Sequence, residues 1–243
     1  MERDIQRVAW VTGASSGVGA EAARRLARQN MRVVVSARRT EKLDELVAEL
    51  TAEGHEITSV HMDAADLDGI ADVHRRVRES GGVITDLVCA AGTNAPERLW
   101  RNQDMATFDQ IMQTNLSSTA RVIDQVLPGM RELGLGTVTV VSSFAAWRFQ
   151  PVAGVAYSAA KTGLKSLCEM LNGQEKAAGI RATHLCPGDI ATAFLDQRPE
   201  VPDESARETM LTPDDVARTV EFVHTNPLNI CVDELVVTPV GRA

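Results

Sequence analysis

The fold is decided by a stretch near the amino terminus, Val8-Ala9-Trp10-Val11-Thr12-Gly13-Ala14-Ser15-Ser16-Gly17-Val18-Gly19. In it an apolar run of β-forming residues leads into a glycine-rich turn, and a helical pattern follows. Glycine permits a tight turn and a close approach of the backbone to a phosphate, while a helix start offers free N–H groups and a positive dipole. The stretch therefore predicts a strand, a phosphate-binding turn and a helix in succession.

The same alternation of apolar strand and amphipathic helix continues along the chain. We predict strands at 8–12, 32–36, 57–62, 86–90, 137–141, 181–186 and 234–238, and helices at 20–29, 40–53, 66–79, 104–130, 156–178 and 214–224. The strands are continuous apolar runs, as a parallel sheet covered on both faces requires. We expect an α/β fold, a Rossmann-type doubly wound parallel sheet of about seven strands with helices on both faces.

We expect one domain over residues 1–243. The polar, proline-containing residues 196–209 lack periodicity, and they follow a sheet strand. Loops in that position commonly cover a substrate, so we predict a substrate lid at about 189–212.

Composition argues against several classes of protein. Lys and Arg number 25 against 33 Asp and Glu, a formal net charge of −8 without a basic run, so we expect no nucleic-acid partner. No apolar run approaches the roughly 20 residues of a membrane helix, and the charged residues 1–7 leave no room for a signal peptide. The cysteines are scattered and the histidines lack ligand spacing, so we expect reduced thiols, no metal site and a cytoplasmic location.

The end of the second strand favours a phosphorylated dinucleotide. The turn has the spacing GxxxGxG over Gly13, Gly17 and Gly19, and its place after the first strand favours nucleotide binding. NAD-binding sites usually carry a carboxylate at the end of the second strand, where it binds the ribose 2′-hydroxyl. Arg38 and Arg39 stand there instead, and a guanidinium suits a 2′-phosphate. We expect NADP(H), and the alternative is a pair of solvated arginines.

A second group of residues suits proton transfer. Tyr157 is the chain's only tyrosine and stands at i, i+4 to Lys161 in a predicted helix, so the phenol and the ammonium share a face. A nearby positive charge favours the phenolate and lowers a pKa that is otherwise about 10. The pair can then exchange a proton with an alcohol or carbonyl oxygen, to which Ser143 can also hydrogen-bond. Taken alone, the tyrosine–lysine spacing also fits an ordinary helix face.

In order and spacing these motifs resemble the short, single-domain branch of the short-chain dehydrogenase/reductase family over nearly the whole chain. The resemblance implies that Tyr157 is the general acid/base, that Ser143 orients the substrate oxygen, that Lys161 binds the nicotinamide ribose and lowers the pKa of Tyr157, and that Asn115 holds a water in the proton relay. It also implies that Asp63 contacts adenine. The cofactor-binding residues it implies are Gly13, Ser15, Ser16, Gly17, Val18, Gly19, Arg38, Arg39, Asp63, Ala64, Ala91, Gly92, Tyr157, Lys161, Pro187, Gly188, Ile190 and Thr192.

The chain departs from the family pattern at two places. Cys89-Ala90 stands where the family usually has two asparagines, which leaves open how the hydrogen bonds of that loop are satisfied. Ser143 lies one residue farther from Tyr157 than is usual, so Ser142 competes with it for the catalytic role. The extra residue falls near Trp147-Arg148-Phe149, where Arg148 either binds a substrate carboxylate or is an exposed arginine beside packed aromatics.

The sequence thus predicts an NADP(H)-dependent oxidoreductase that transfers a hydride between nicotinamide and a secondary alcohol or ketone. Residues 211–217 and 227–240 are similar to NADP-dependent 3-hydroxy acid (serine-type) dehydrogenases, which favours a 3-hydroxy acid. The alternatives are a general carbonyl or 3-ketoacyl reductase and, in another class, a non-catalytic dinucleotide-binding regulator. We expect a small-molecule alcohol or carbonyl substrate, no membrane partner and, from the resemblance, a homotetramer or homodimer.

Overall fold

The seven predicted strands are all present in the computed structural model, which describes residues 5–64 and 66–240. Each strand lies within one residue of its predicted bounds. They are β1 Val8–Thr12, β2 Arg32–Ala37, β3 Ile57–His61, β4 Asp86–Cys89, β5 Gly136–Val141, β6 Ile180–Pro187 and β7 Glu234–Val237. Residues 1–4 and 241–243 of the predicted domain, and with them most of the charged amino-terminal segment, lie outside the described residues.

The strands form one parallel sheet in the order β3-β2-β1-β4-β5-β6-β7. The order reverses between β1 and β4, which pair in the register Val11 with Val88 and Thr12 with Cys89. Ligands of doubly wound sheets bind at this reversal, beyond the carboxyl ends of the strands. The predicted fold class is therefore confirmed, and it directs attention to the loops after β1 and β4.

Helices cover both faces of the sheet. Their bounds are α1 Gly17–Arg28, α2 Thr40–Ala52, α3 Leu67–Glu79, α4 Met105–Met112, α5 Ser118–Leu133, α6 Phe144–Trp147, α7 Val155–Glu175, α8 Glu204–Glu208 and α9 Pro213–Thr225. A buried apolar layer with Leu26, Leu43 and Val220 packs α1, α2 and α9 on one face. A second layer with Val73, Val126 and Leu164 packs α3, α5 and α7 on the other. No helix within 5–64 and 66–240 combines the length and apolarity needed to cross a membrane.

The helix predicted over 104–130 differs from the structure in one respect. A π-helical turn, Gln113–Ser117, separates α4 from α5, and it carries Asn115. Single π turns inside α-helices are rare and occur mostly at functional sites. The sequence pattern gave no sign of this turn, because one wider turn does not disturb the spacing of the apolar residues on either side.

The predicted lid is anchored at both ends. Ile190 and Leu211 form an isolated parallel bridge, and Ala191 N donates to Leu211 O at 2.8 Å. Between these ends lie a 3₁₀ helix, Ala193–Gln197, and the short helix α8. The region expected to lack regular structure therefore contains two short helices, which are too short to show periodicity in the sequence.

Candidate active site

The glycine turn after β1 is shaped by close backbone packing. A Cβ on Gly13 would lie 2.6 Å from Ala91 N in the loop after β4, and one on Gly19 would lie 2.6 Å from Gly13 O. Gly13 also has a φ of +68°, which favours glycine. Ser16, the N-cap residue of α1, makes no side-chain hydrogen bond to the helix start, and no acidic residue stands in the first turn. The N–H groups there are left open to an anion, as the sequence predicted.

Arg38 and Arg39 follow β2 at the same end of the sheet and are both exposed. The Arg39 guanidinium donates to Ser15 Oγ at 3.0 Å and to Ser16 Oγ at 2.6 Å. Arg38 makes no hydrogen bond or ion pair within residues 5–64 and 66–240. Asp63 lies after β3, near the same end of the cleft. The two arginines therefore differ: Arg39 is hydrogen-bonded to the glycine turn, whereas Arg38 is available to a ligand.

The loop after β4 satisfies its hydrogen bonds without the two asparagines usual in the family. The Thr12 hydroxyl accepts from Ala90 N at 3.2 Å and from Ala91 N at 3.4 Å. Asn115 binds both backbone groups of Thr93, two residues farther along the loop. Its Oδ1 accepts from Thr93 N at 2.7 Å, and its Nδ2 donates to Thr93 O at 2.8 Å. The loss of two amide side chains at Cys89-Ala90 is thus compensated by groups on β1 and on the π turn.

The structure separates the roles of the two serines after β5. The Ser143 side chain lies close enough to the Tyr157 hydroxyl to lower its pKa, and its hydroxyl accepts a hydrogen bond from Ala145 N at 3.2 Å. Ser142 is buried, and its hydroxyl donates to Lys161 O at 3.1 Å, inside helix α7. Ser143 is therefore the serine that faces Tyr157, despite its longer spacing in the sequence. The short helix α6, which Ser143 caps, takes up the extra residue.

Lys161 lies one helical turn after Tyr157 and is 5% exposed. Its Nζ donates to Val141 O at 2.9 Å and lies 5.7 Å from the centroid of the Tyr157 ring. A Cβ on Gly92 would lie 3.5 Å from this Nζ and 3.4 Å from Asn115 Oδ1, so Gly92 separates the two polar groups. Burial lowers the pKa of Lys161 to about 8.

The pKa of Tyr157 moves in the direction opposite to the sequence expectation. Burial raises it above the ordinary value, and the hydrogen bond from Ser143 and the charges of Arg98 and Arg198 only partly offset this. The expected cationic partner was Lys161, whereas the cations that lower the pKa lie in the loop after β4 and in the lid. The phenol is therefore held protonated in this structure, a state suited to donating a proton.

Sequence analysis missed several residues at the substrate end of the cleft. Arg98, Gly154 and Arg198 lie in polar loops or in the lid, with no spacing that marks them. Arg98 is buried and lines the cleft near Tyr157, and Arg198 forms an ion pair with Asp189. Arg148 is exposed, and its guanidinium stacks 4.3 Å from the Trp147 ring centroid. This placement favours the interpretation of Arg148 as an exposed arginine, although its aromatic neighbours Trp147 and Phe149 are themselves exposed.

One cluster has metal-ligand chemistry that the histidine spacing did not predict. His184, Cys186 and Glu234 place ligand atoms within 4.8 Å of one another on β6 and β7. Glu234 is already paired with Lys165 Nζ at 3.1 Å and with His184 Nδ1 at 3.1 Å. A histidine and a cysteine two residues apart on a strand share a face, which is the signal that the search for HxH and HxxxH spacing overlooked. The absence of a metal site stays a prediction.

The predicted site residues come together in one cleft of about 1960 Å³ at the carboxyl ends of the strands. All of the predicted cofactor residues, together with Ser143, line it. They are Gly13, Ser15, Ser16, Gly17, Val18, Gly19, Arg38, Arg39, Asp63, Ala64, Ala91, Gly92, Tyr157, Lys161, Pro187, Gly188, Ile190 and Thr192. Asn115 is fully buried behind Gly92. Ligand pockets usually measure about 300–1,000 Å³, so the cleft has room for a dinucleotide and a substrate together.

Comparison with known proteins agrees with this geometry. Residues 7–202 match the family described as short chain dehydrogenase. Dehydrogenase/reductase SDR family member 4 of Sus scrofa is 34% identical over an alignment that covers 98% of this chain and 87% of that protein. Glycine betaine reductase of Emericella nidulans is 29% identical over 238 residues, which are 96% of this chain but only 19% of that protein. The chain thus spans a small part of the latter relative.

Among solved structures, the closed form of serine dehydrogenase complexed with NADP⁺ superposes with a TM-score of 0.88 at 26% sequence identity. The match covers 97% of this chain and 96% of that one. The similarity therefore extends over the sheet, the cleft and the residues of the predicted lid.

Proposed function

The chain belongs to the short-chain dehydrogenase family of oxidoreductases, and from this premise we propose that it transfers a hydride between NADP(H) and a secondary alcohol or ketone. The observation that carries the proposal is the grouping of the Tyr157 hydroxyl with the Ser143 side chain, one helical turn before the buried Lys161. Binding alone needs no such proton-transfer group. The arrangement therefore favours an enzyme over a dinucleotide-binding regulator.

The residues present fit a phosphorylated dinucleotide. The open N–H groups at the start of α1 and the closely packed Gly13 form a cradle that a Cβ would fill, which suits a pyrophosphate. Arg38 is exposed and makes no hydrogen bond or ion pair with the described residues, so its guanidinium is available to a 2′-phosphate. The NADP⁺ complex of serine dehydrogenase, which has the same fold, supports this choice of cofactor.

The mechanism assigns a task to each of the four polar residues. NADP(H), when bound, supplies or accepts the hydride at the substrate carbon. In reduction Tyr157 donates its proton to the carbonyl oxygen, and in oxidation it takes the hydroxyl proton back. Ser143 hydrogen-bonds to the same oxygen and fixes its position. Lys161 and Asn115 lie on either side of Gly92. There Lys161 would hold the nicotinamide ribose, and Asn115 would hold a water of the proton relay.

We propose a 3-hydroxy acid as the substrate class, supported by the likeness to serine dehydrogenase. A general carbonyl or 3-ketoacyl reductase is the second candidate, since a phenol in the Tyr157 position can donate a proton to any carbonyl oxygen bound there. The cytoplasmic location and the homotetramer or homodimer stay predictions.

The test follows absorbance at 340 nm with NADP⁺ and, separately, NAD⁺ on 3-hydroxy acids and neutral secondary alcohols. Ketones with NADPH are measured in the reverse direction. We expect turnover with a clear preference for NADP(H). Binding of NADP(H) without turnover on any alcohol or ketone would instead indicate a regulator.

A further inference from the structure

Arg98 is a buried cation at the substrate end of the cleft, and no carboxylate of residues 5–64 or 66–240 pairs with it. The residue is 4% exposed. Its Nε donates to Ala95 O at 2.6 Å and its Nη2 donates to Gln197 O, whereas Nη1 makes no hydrogen bond to any described residue. No described acidic group pairs with it, and burial lowers the pKa of this guanidinium. Burying a charge is costly unless another group compensates for it.

The start of helix α7 fixes Arg98 beside the reacting group. Val155 N donates to Arg98 O at 2.9 Å. A Cβ on Gly154 would lie 2.7 Å from Arg98 Cβ, and Gly154 has a φ of +102°, so glycine is required there for two reasons. Arg98 therefore passes directly under the helix end that carries Tyr157. Its charge reaches the phenol, since it offsets part of the rise that burial causes in the pKa of Tyr157.

Two arginines and one carboxylate influence the Tyr157 hydroxyl from the substrate end of the cleft. Arg98 and Arg198 lower its pKa and Asp189 raises it. Arg198 and Asp189 form an ion pair with each other, whereas Arg98 has no carboxylate partner among the described residues. A carboxylate of a ligand would supply the negative charge that this guanidinium lacks, and its planar pair of oxygens suits a guanidinium.

We propose that Arg98 binds a carboxylate of the substrate through its open Nη1, so that the compound which reacts at Tyr157 is a hydroxy acid or the matching keto acid. This assignment rests on the proposed function, because Tyr157 marks the position of the reacting oxygen. A charge-assisted hydrogen bond from a fixed guanidinium would hold the acid group and turn the carbinol carbon toward the cofactor site. The buried Arg98 is the specificity residue, rather than the exposed Arg148.

The experiment compares 3-hydroxybutanoate with methyl 3-hydroxybutanoate, which has the same carbinol without the charge. We measure kcat/KM with NADP⁺ for the wild type, Arg98→Met and Arg98→Lys. In Arg98→Met the preference for the acid over the ester should fall by about 30-fold or more, because a charged partner is removed. Arg98→Lys should recover part of it. Arg101→Met, an exposed arginine on the rim of the same cleft, is the matched control and should leave the preference nearly unchanged.

Structural damage and substrate binding give different results in this design. An equal loss of activity on the acid and on the ester in Arg98→Met would show that Arg98 only holds the loops of Ala95 and Gln197 together. That result would overturn the proposal. A shift of the pH profile for acid and ester alike would assign Arg98 to Tyr157 instead, and would also overturn it. A wild type that prefers the ester excludes a carboxylate site directly.

A binding measurement separates this proposal from the proposed function. The Tyr157→Phe variant, loaded with NADP⁺, is titrated calorimetrically with 3-hydroxybutanoate. The double variant Tyr157→Phe, Arg98→Met is titrated in the same way. If the wild type turns over no alcohol or ketone, the proposed function fails. Binding that is lost with Arg98→Met would still support the carboxylate site, whereas no binding to either protein would reject it.

Discussion

Two buried arginines lie at opposite ends of the sheet, and their nitrogens are used differently. Arg181, at the amino end of β6, is 6% exposed, and all three of its nitrogens donate hydrogen bonds. It holds the carbonyl groups of Asn226, Pro227 and Ile230. Arg98, at the carboxyl end, is buried as deeply, and its Nη1 has no hydrogen-bond partner in the part of the chain that the structure describes. The arginine at the amino end of the sheet therefore uses all of its nitrogens in hydrogen bonds, whereas the arginine at the carboxyl end keeps one nitrogen available to a ligand.

The neighbouring groups follow the same division. At the amino end, Asp86 and His224 are fully buried, and His224 Nδ1 lies 2.7 Å from Asp86 Oδ1. Arg7 Nε donates to the other oxygen of this carboxylate at 2.9 Å. At the carboxyl end Arg38 and the start of α1 lack such partners among the described residues. Satisfied buried networks stabilise a fold, whereas open polar groups are available to ligands, so we expect substitutions at the amino end to change stability and those at the carboxyl end to change activity.

The largest effect that tests this division is the loss of activity in Tyr157→Phe. We expect kcat to fall by about 10³-fold, within the usual contribution of a general acid/base. NADPH binding and the free energy of unfolding should change little, because only one hydroxyl at the open end is removed. Absorbance at 340 nm and NADPH fluorescence titration measure the two quantities. A parallel loss of NADPH affinity would contradict the assigned role.

Asp86→Asn tests the amino end of the sheet, where the buried polar groups are hydrogen-bonded, and should change stability alone. We expect the free energy of unfolding to fall by about 3 kcal/mol, because Arg7 and the buried His224 lose their carboxylate. Urea unfolding measures this loss, and kcat at low temperature should be retained. Asp109→Asn, an exposed position on α4, is the control and should change stability little. A large loss of kcat in the folded Asp86→Asn variant would contradict the assignment of stability to the amino end and of activity to the carboxyl end.

The same carboxylate gives a pH dependence. Burial alone would raise the pKa of Asp86, but the hydrogen bond from His224 and the charge of Arg7 outweigh it and hold the pKa below its usual 3.8. The folded state thus binds this proton more weakly than the unfolded state. The contribution to stability is complete above pH 3.8 and is lost as the pH falls through the lowered pKa. The Asn variant should lack this acid step.

Arg38→Ala tests whether an unpartnered exposed arginine serves a ligand. We expect KM for NADP⁺ to rise about tenfold, since a charge-assisted contact to the 2′-phosphate is lost. KM for NAD⁺, which lacks that phosphate, should not change. Arg76→Ala, an exposed arginine on α3, supplies the control. An equal rise for both cofactors would place Arg38 outside the 2′-phosphate site.

Lys161→Met should give the smallest effect, a gain in stability of the cofactor-free protein at pH 7. The pKa of Lys161 is about 8 when folded against a usual 10.5, so the protonated lysine costs stability below pH 8. Removing it should raise the free energy of unfolding by about 1 kcal/mol, after the lost hydrogen bond to Val141 O is counted. The difference from the wild type should vanish between pH 8 and 10.5. A destabilised variant at pH 7 would show that this hydrogen bond outweighs the burial cost.

The accuracy of the sequence predictions depended on the range of the interactions involved. Strands and long helices were found because apolar periodicity is a local property. The turn at Gly13 and the pair Tyr157–Lys161 were found because their residues lie close together in the sequence at a recognisable spacing. The π turn at Asn115 and the 3₁₀ helix Ala193–Gln197 were not, because they are too short to impose a period.

The sequence by itself determined the sheet, the phosphate-binding turn and the residues proposed for proton transfer. Each of these is written in neighbouring residues whose spacing follows from strand and helix geometry. Only the tertiary structure decided that Ser143 rather than Ser142 faces Tyr157, and that Tyr157 has a raised pKa. Only it brought Arg98 under Gly154, beside the phenol. Burial and charge balance depend on groups from distant parts of the chain, which meet only when the loops after β4 and β6 close over the same cleft.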